Sequence, residues 1–176
     1  MNTLTDTLST LPEDAKFLVE TVMGASADLF HKHGEVGPVG FYILPFTGEI
    51  KVKEVGGPFD ENTKDAFFDE LRVLRRTCPT VAFLSEVWMS EGMKEKDMNP
   101  DGTVKVMPRD DPNHSEHIML NLWQGSRVVT FKAQITRNPT ALGEWGAFYD
   151  STFPIKGATD VKGRMVEGES FQMEEN

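Results

Sequence analysis

The feature that most constrains the fold is a pair of alternating segments joined by a short turn. Residues 117–123 and 127–136 place apolar side chains at every second position, and Gly125-Ser126 lies between them. A period of two is typical of strands that bury one face. A short connection containing glycine joins antiparallel neighbours. The sequence therefore predicts an antiparallel β-hairpin within a larger sheet.

Three other segments have the composition of strands. Segments 39–44 and 81–88 are short and rich in β-branched and aromatic residues, and segment 49–55 alternates apolar with polar residues. Lys51 and Lys53 discourage pairing with another sheet, which places segment 49–55 at an edge. Together with the hairpin, these segments predict a sheet of about five strands.

Two stretches repeat apolar residues at intervals of three and four, which is the spacing of an amphipathic helix. The first runs from Thr10 to Gly34, and the second begins at an N-cap, Asp60, and ends before Pro79. Hairpins on both sides of the second helix predict an α+β fold. We expect an antiparallel sheet of about five strands with two helices packed on one face.

The chain has the length of one domain, and its ends differ in composition from its middle. We expect a single domain over residues 1–156, in which residues 1–9 are frayed and residues 89–115 form a loop longer than an ordinary turn. After Gly157 the density of apolar residues falls. Residues 157–176 are therefore predicted to be a mobile acidic tail.

The charge balance disfavours several classes of partner. The chain carries 18 basic and 28 acidic residues, a net charge of −10, and an acidic surface repels nucleic-acid backbones and anionic membranes. No apolar run approaches the ~20 residues of a membrane-spanning helix, and the first residues do not resemble a secretory signal. Cys78 is the only cysteine, which suits a reducing compartment. We therefore expect a cytoplasmic protein without nucleic-acid or membrane partners.

The predicted order of helix, two strands, helix and three strands is similar to that of roadblock and longin domains. Those small α+β domains commonly dimerise or serve as platforms for partners, and the resemblance implies such a role here. Separately, Ser85-Glu86-Val87-Trp88, followed by Pro108-Arg109-Asp110-Asp111-Pro112 and Glu116, resembles a pattern of small uncharacterised proteins of bacteria and phages. The second resemblance carries no activity with it.

One cluster has the composition of a metal site. Asp110, Asp111, His114 and His117 lie close together in sequence, and their oxygen and nitrogen atoms are ligands for divalent metals. The same residue types are typical of a turn that enters a strand, and on a strand His114 and His117 would point to opposite faces. A divalent metal is therefore the alternative to a chain without a cofactor.

Glu86 is a single carboxylate between Leu84 and Trp88 on one face of a predicted strand. A carboxylate buried alone among apolar side chains is costly, so we expect Glu86 to pair with Arg109 and to tie the long loop to the sheet. Without that ion pair, Glu86 becomes a candidate functional carboxylate.

Large apolar side chains on the second face of the sheet indicate a contact surface. Met119 and Trp123 lie on the hairpin face opposite its main apolar row, and Trp145 and Tyr149 belong to residue types that dominate protein interfaces. Because two helices on one side leave the other side uncovered, these four residues predict a homodimer or another protein partner.

The sequence lacks the common catalytic templates, including the G-x-S-x-G elbow, the phosphate-binding loop and the dinucleotide fingerprint. Catalytic residues are therefore left unassigned. We expect a non-enzymatic binding or assembly module that acts through protein–protein contacts. The alternative is a small metal-dependent hydrolase with its site around residues 109–117.

Overall fold

Seven strands pair into one antiparallel sheet in the computed structural model, which describes residues 3–90, 110 and 112–152. The elements, in chain order, are α1 (Leu4–Ser9), α2 (Glu13–His33), β1 (Val39–Ile43), β2 (Ile50–Glu54), α3 (Glu61–Thr77), β3 (Thr80–Ser90), β4 (His114–Gln124), β5 (Arg127–Arg137), β6 (Thr140–Leu142) and β7 (Gly146–Thr152). The strand order is β2-β1-β3-β4-β5-β6, and β7 also pairs with β5. The sheet curls into a half-barrel.

The hairpin of β4 and β5 confirms the pattern that most constrains the sequence. Its turn contains Gly125 at a φ of 58°, a left-handed conformation that glycine adopts without a steric penalty. Across the two strands, Ile118 lies opposite Ala133 and Leu120 lies opposite Phe131. Alternate residues of both strands therefore share one face.

The outer edge of β5 is occupied by two short strands in succession. β6 pairs with the end of β5, and β7 pairs with its beginning. Between them, the N–H group of Gly143 donates to the carbonyl of Gln134 at 2.8 Å, which keeps the chain against β5. Trp145 follows and packs on the core. The sheet is therefore six strands wide, and β6 and β7 share the last position, next to β5.

The predicted fold class is wrong in its strand number and in the placement of its helices. The described residues form seven strands and three helices, and 41% of them lie in strands against 35% in helices. Ala82 and Leu84 of β3 pack in one cluster with α2, whereas Val81 and Phe83 pack in another with α3. The two long helices thus lie on opposite faces of the sheet, because β3 is apolar on both faces and each face needs a cover.

We name the two faces of the sheet after the helices that cover them. The α2 face is uniformly apolar at its centre, where the following side chains are 4% exposed or less: Ala82, Leu84, Ile118, Leu120, Leu122, Val129, Phe131, Ala133 and Ile135. The α3 face carries the alternate residues of the same strands. On that face, Phe67 and Leu71 of α3 pack with Val81 and Phe83.

The beginning of the chain is more ordered than its composition predicts. Residues 1–9 are expected to fray, but α1 forms within them. Thr3 and Asp6 make a reciprocal capping box that satisfies the first N–H groups of the helix. Thr7 and Leu8 are buried, so tertiary packing holds this short helix in place.

The predicted long loop and acidic tail fall mainly outside the described residues. β3 extends to Ser90 and β4 begins at His114, so both strands reach into the 89–115 segment. Residues 91–109 and 157–176 are not among those described. Within the part of the chain that is described, no helix combines the length and the apolar character needed to cross a membrane.

Candidate functional site

The α3 face changes in chemistry along the strands. The cross-strand rows of β3, β4 and β5, beginning beneath α3, are Val81 with Trp123 and Val128, Phe83 with Asn121 and Thr130, Ser85 with Met119 and Lys132, and Val87 with His117 and Gln134. The first row is apolar, and the later rows combine apolar with hydrogen-bonding side chains. The α2 face shows no such gradient at its centre, so the α3 face is the better candidate for a site.

A groove of about 540 Å³ opens beside α3 on this mixed surface, and we call it the α3-face groove. Its described lining comprises Val36, Pro38, Phe59, Lys64, Phe68, Phe83, Ser85, Glu86, Val87, Met119 and Asn121. Binding pockets of such a size are mostly apolar, with a few polar groups that orient the ligand. The groove fits that description.

Three phenylalanines form the apolar side of the groove, and a fourth supports them from behind. Phe59 and Phe68 lie edge to face with ring centres 6.4 Å apart, and Phe68 and Phe83 lie edge to face at 5.1 Å. Phe67 packs behind them at 5.5 Å from Phe83. Interlocked rings hold one another in position, so this side of the groove is formed before any ligand arrives.

The strands contribute hydrogen-bonding groups to the floor. The hydroxyl of Thr130 donates to the Oδ1 atom of Asn121 at 2.8 Å, which fixes the orientation of that amide. The two N–H donors of the amide have no acceptor among the described residues and are available to a ligand. Ser85 adds a hydroxyl from β3.

Two lysines, each above an aromatic ring, lie at or near the groove. Lys64 Nζ is 5.4 Å from the centre of the Phe59 ring, and Lys132 Nζ is 4.2 Å from that of Phe148. Lys132 is the cross-strand partner of Met119, which lines the groove. Lys64 also pairs with the exposed carboxylate of Glu61 at 3.4 Å. One lysine therefore belongs to the lining and a second lies beside it, and the lining also contains the carboxylate of Glu86.

The part of the α3 face that lies beneath α3 is buried from solvent. The guanidinium of Arg75 lies 5.2 Å from the ring centre of Trp123. Burial, with a smaller contribution from nearby Arg72, lowers the pKa of Arg75 to about 9. The surface therefore passes from a desolvated interior at Trp123 to an open groove at Met119.

The four residues predicted to bind a partner do not form one surface. Trp123 is 3% exposed and belongs to the cluster beneath α3. Trp145 packs against the α2-face cluster, whereas Tyr149 packs against the α3-face cluster. Met119 alone of the four lines the groove. The second face of the sheet is covered by α3 and is not left bare as two helices on one side would leave it, and self-association stays a prediction.

The predicted metal ligands are separated by the strand that carries them. His114 and His117 both belong to β4 and lie on opposite faces of the sheet, as the period of a strand requires. His114 packs edge to face on Trp88 at 4.5 Å, and the Nε2 atom of His117 is hydrogen-bonded to the Ser115 hydroxyl at 2.8 Å. Asp111 lies outside the described residues.

Asp110 is described and exposed. Across the residues with described positions, no three His, Cys, Asp or Glu side chains converge as metal ligands would. Among the described residues, Asp110, His114 and His117 form no such group, and because Asp111 lies outside them the metal site stays a prediction.

Glu86 has different partners from the one predicted. Its Oε1 atom accepts a hydrogen bond of 2.7 Å from the backbone N–H of Val36, and its Oε2 atom lies 3.6 Å from Arg137. Arg109 is outside the described residues, so the Glu86–Arg109 pair stays a prediction.

Arg137 is the charged residue that sequence reasoning missed. It donates to Glu116 from Nε at 2.8 Å and to the backbone carbonyl of Gly34 at 2.8 Å, and its guanidinium lies 5.8 Å from the ring centre of Phe30. The bond to Glu116 raises the pKa of Arg137. A signal was present in the sequence, since Glu86, Glu116 and Arg137 are charged residues at the ends of strand segments that are otherwise apolar on this face.

Comparison of the chain with protein-family models, with curated proteins and with solved structures finds no match. The similarity in element order to roadblock and longin domains therefore stays a prediction, and the argument for function depends on the groove.

Proposed function

We propose that the protein is a non-enzymatic binding module that holds a short segment of a partner protein in the α3-face groove. The segment carries a large apolar side chain next to a carboxylate. The observation that supports the proposal is a mostly apolar groove of about 540 Å³ that is lined by Lys64. Lys132, on the next strand, lies beside the lining residue Met119.

The apolar part of the partner is matched to the phenylalanine side of the groove. Phe59, Phe68 and Phe83 present ring edges and faces to one large side chain, and Met119 supplies a flexible thioether opposite them. Aromatic and methionine side chains are enriched at the centres of protein interfaces. One aromatic or branched aliphatic residue therefore suits this space.

The polar part of the partner is matched to the donors around the groove. The ammonium of Lys64, the amide of Asn121 and the hydroxyl of Ser85 all offer hydrogen atoms. Carboxylates and backbone carbonyls are the acceptors that a peptide provides. Glu61, which pairs with Lys64, has a side chain that is mostly exposed, so a partner carboxylate can take its place.

The test uses fluorescein-labelled pentapeptides with Glu-Phe-Glu at the centre, and fluorescence anisotropy with the full chain. We expect the Glu-Phe-Glu peptide to bind more tightly than peptides with Lys-Phe-Lys or Glu-Ala-Glu at the centre. Lys64→Gln should weaken binding by about threefold to tenfold, which corresponds to about 0.6–1.4 kcal/mol. Lys16→Gln is the matched control, because Lys16 is a helical lysine with a glutamate partner, Glu20, far from the groove.

Three results would overturn the proposal. They are the absence of binding by any of the peptides, equal binding of the Lys-Phe-Lys peptide, and equal loss in the two lysine variants. A further result would replace the partner segment by a second copy of this chain. If sedimentation shows a dimer at tens of micromolar that Met119→Glu dissociates, the groove is a homodimer interface instead.

A further inference from the structure

Residues 36–38 form a wall between two grooves. Val36 and Pro38 line the α3-face groove on one side. On the other side they line a second groove of about 530 Å³, which Leu29 of α2 and Phe41 of β1 also border. Val36 itself is buried. The shape of both grooves therefore depends on where this short connection between α2 and β1 is held.

A single hydrogen bond joins the wall to the floor. The N–H group of Val36 donates to Oε1 of Glu86 at 2.7 Å. Glu86 lies on β3 between Ser85 and Val87, both of which line the α3-face groove. The side chain of Glu86 thus links the strand beneath the groove to the connection beside it.

Arg137 contacts both the carboxylate of Glu86 and the backbone that leads to Val36. Its guanidinium lies 3.6 Å from Oε2 of Glu86 and donates to the carbonyl of Gly34, two residues before Val36. Glu116 accepts from the same guanidinium at 2.7 Å and fixes its position. Gly34 ends α2 at a φ of 75°, so Arg137 contacts the chain at the point where it turns towards the wall.

We propose that Arg137 is a positioning residue for the α3-face groove, acting through Glu86 on the backbone of Val36. The inference rests on the proposed function, because it concerns the affinity of that groove. Arg137 lines neither groove, so it acts on the α3-face groove through Glu86, whose side chain belongs to the lining and holds the wall. Its side chain is 40% exposed, and its guanidinium lies over Phe30, a member of the apolar cluster on the α2 face.

The test measures the wall directly, by the amide hydrogen exchange of Val36 in the full chain. Arg137→Met should speed that exchange by about tenfold, because the hydrogen bond to Glu86 opens more often. Arg137→Lys should restore most of the protection, since an ammonium can still reach the carboxylates. Arg127→Met is the matched control: Arg127 also pairs with a carboxylate, Asp150, but lies at the opposite end of β5.

The binding of the Glu-Phe-Glu peptide supplies the second readout. We expect Arg137→Met to weaken it by about threefold and Arg127→Met to leave it unchanged. Glu86→Gln provides a second variant if Arg137→Met does not fold. It keeps an acceptor for Val36 and loses the attraction to Arg137, so it should raise Val36 exchange by a smaller factor.

The outcomes separate this inference from the proposed function. Unchanged Val36 exchange in Arg137→Met overturns the link through Glu86, whatever the peptide does. Faster exchange with unchanged peptide affinity overturns the positioning role. If the unmodified chain fails to bind the peptide, the proposed function fails and the positioning role fails with it, while the exchange data still decide whether Arg137 holds the wall.

Discussion

The two faces of the sheet are built from the same strands but differ in the side chains that they carry. On the α2 face, side chains of β3, β4 and β5 form a continuous apolar core. On the α3 face, the alternate residues change from a buried row at Trp123 to a groove at Met119. A period of two lets one strand carry both patterns. We therefore expect the α2 face to supply most of the stability and the α3 face to be the one on which a site can form.

Each face also places an arginine over an aromatic ring, and the two arginines differ in environment. Arg137 lies over Phe30 beside two carboxylates, and the bond to Glu116 raises its pKa. Arg75 lies over Trp123, and burial lowers its pKa to about 9. The same cation–ring geometry is thus accompanied by a raised pKa on one face and a lowered pKa on the other.

The largest effect should come from a cavity on the α2 face. Phe131→Ala removes a fully buried ring, and we expect a loss of about 3–5 kcal/mol in the free energy of unfolding in urea. Met119→Ala, in the groove, should cost under about 1.5 kcal/mol because that side chain is only half-buried. Equal losses would mean that the two faces do not divide stability and binding as we describe.

Removal of Arg137, whose charge is balanced by two carboxylates, should have the next largest effect. Arg137→Met leaves Glu86 and Glu116 without their shared cation, and we expect a loss of about 1–2 kcal/mol, between the values for exposed and buried pairs. Urea unfolding of the double variant Arg137→Met, Glu116→Gln provides the check. A loss in the double variant as large as the two single losses combined would show that the groups do not interact.

The cap of α3 should give a smaller effect that depends on pH. The backbone N–H of Thr63 donates to Asp60 and, with the Thr63 hydroxyl, lowers the pKa of that carboxyl. The carboxylate therefore stabilises the fold above its ordinary pKa, and this contribution is lost as pH falls through the lowered value. Asp60→Ala should reduce Tm by about 2–4 °C at pH 7.

Thermal unfolding at several pH values tests the sign of this effect. The difference between the native chain and Asp60→Ala should shrink as pH falls below 3.8, the ordinary pKa of this carboxyl, and continue to shrink through the lowered folded pKa. Asp60→Asn is the control, because asparagine caps helices without a charge. A difference that grows in acid would contradict the assignment of the cap.

The smallest net effect should come from substitution of Arg75, the arginine with the lowered pKa. Arg75→Met loses the contacts of the guanidinium, among them the one with Trp123, but removes a charge from a largely buried position, and we expect a change within about 1 kcal/mol at pH 7. Because the folded pKa is below the unfolded one, the native chain should gain stability relative to the variant as pH rises above about 9. A variant that loses as much stability as Arg137→Met would show that the two sites are alike.

Local patterns were predictable from the sequence, and long-range placement was not. The β4–β5 hairpin follows from alternation around Gly125, and the N-cap at Asp60 follows from its residue type and is confirmed. The face on which each helix packs could not be decided in the same way, because β3 is apolar on both sides. β6 and β7 were missed because Gly143 interrupts the alternation between them.

The candidate site was predictable only in part, for the same reason. Glu86 stood out because a carboxylate among apolar neighbours needs a partner. Its described partners, Val36 and Arg137, are distant in the chain and become neighbours only through the register of three strands. The groove itself depends on the angle between α3 and the sheet, which no single segment encodes.

The bond between Arg127 and Thr10 has a consequence for the order in which the chain folds. Arg127 donates to the Thr10 carbonyl and hydroxyl across 117 residues of sequence, and it also holds Asp150 of β7. Contacts of such separation form late, because a long segment must first be ordered. During synthesis, the first helices therefore wait for the last described strand before they can dock fully. Until then, we expect the apolar stripe of α2 to be exposed.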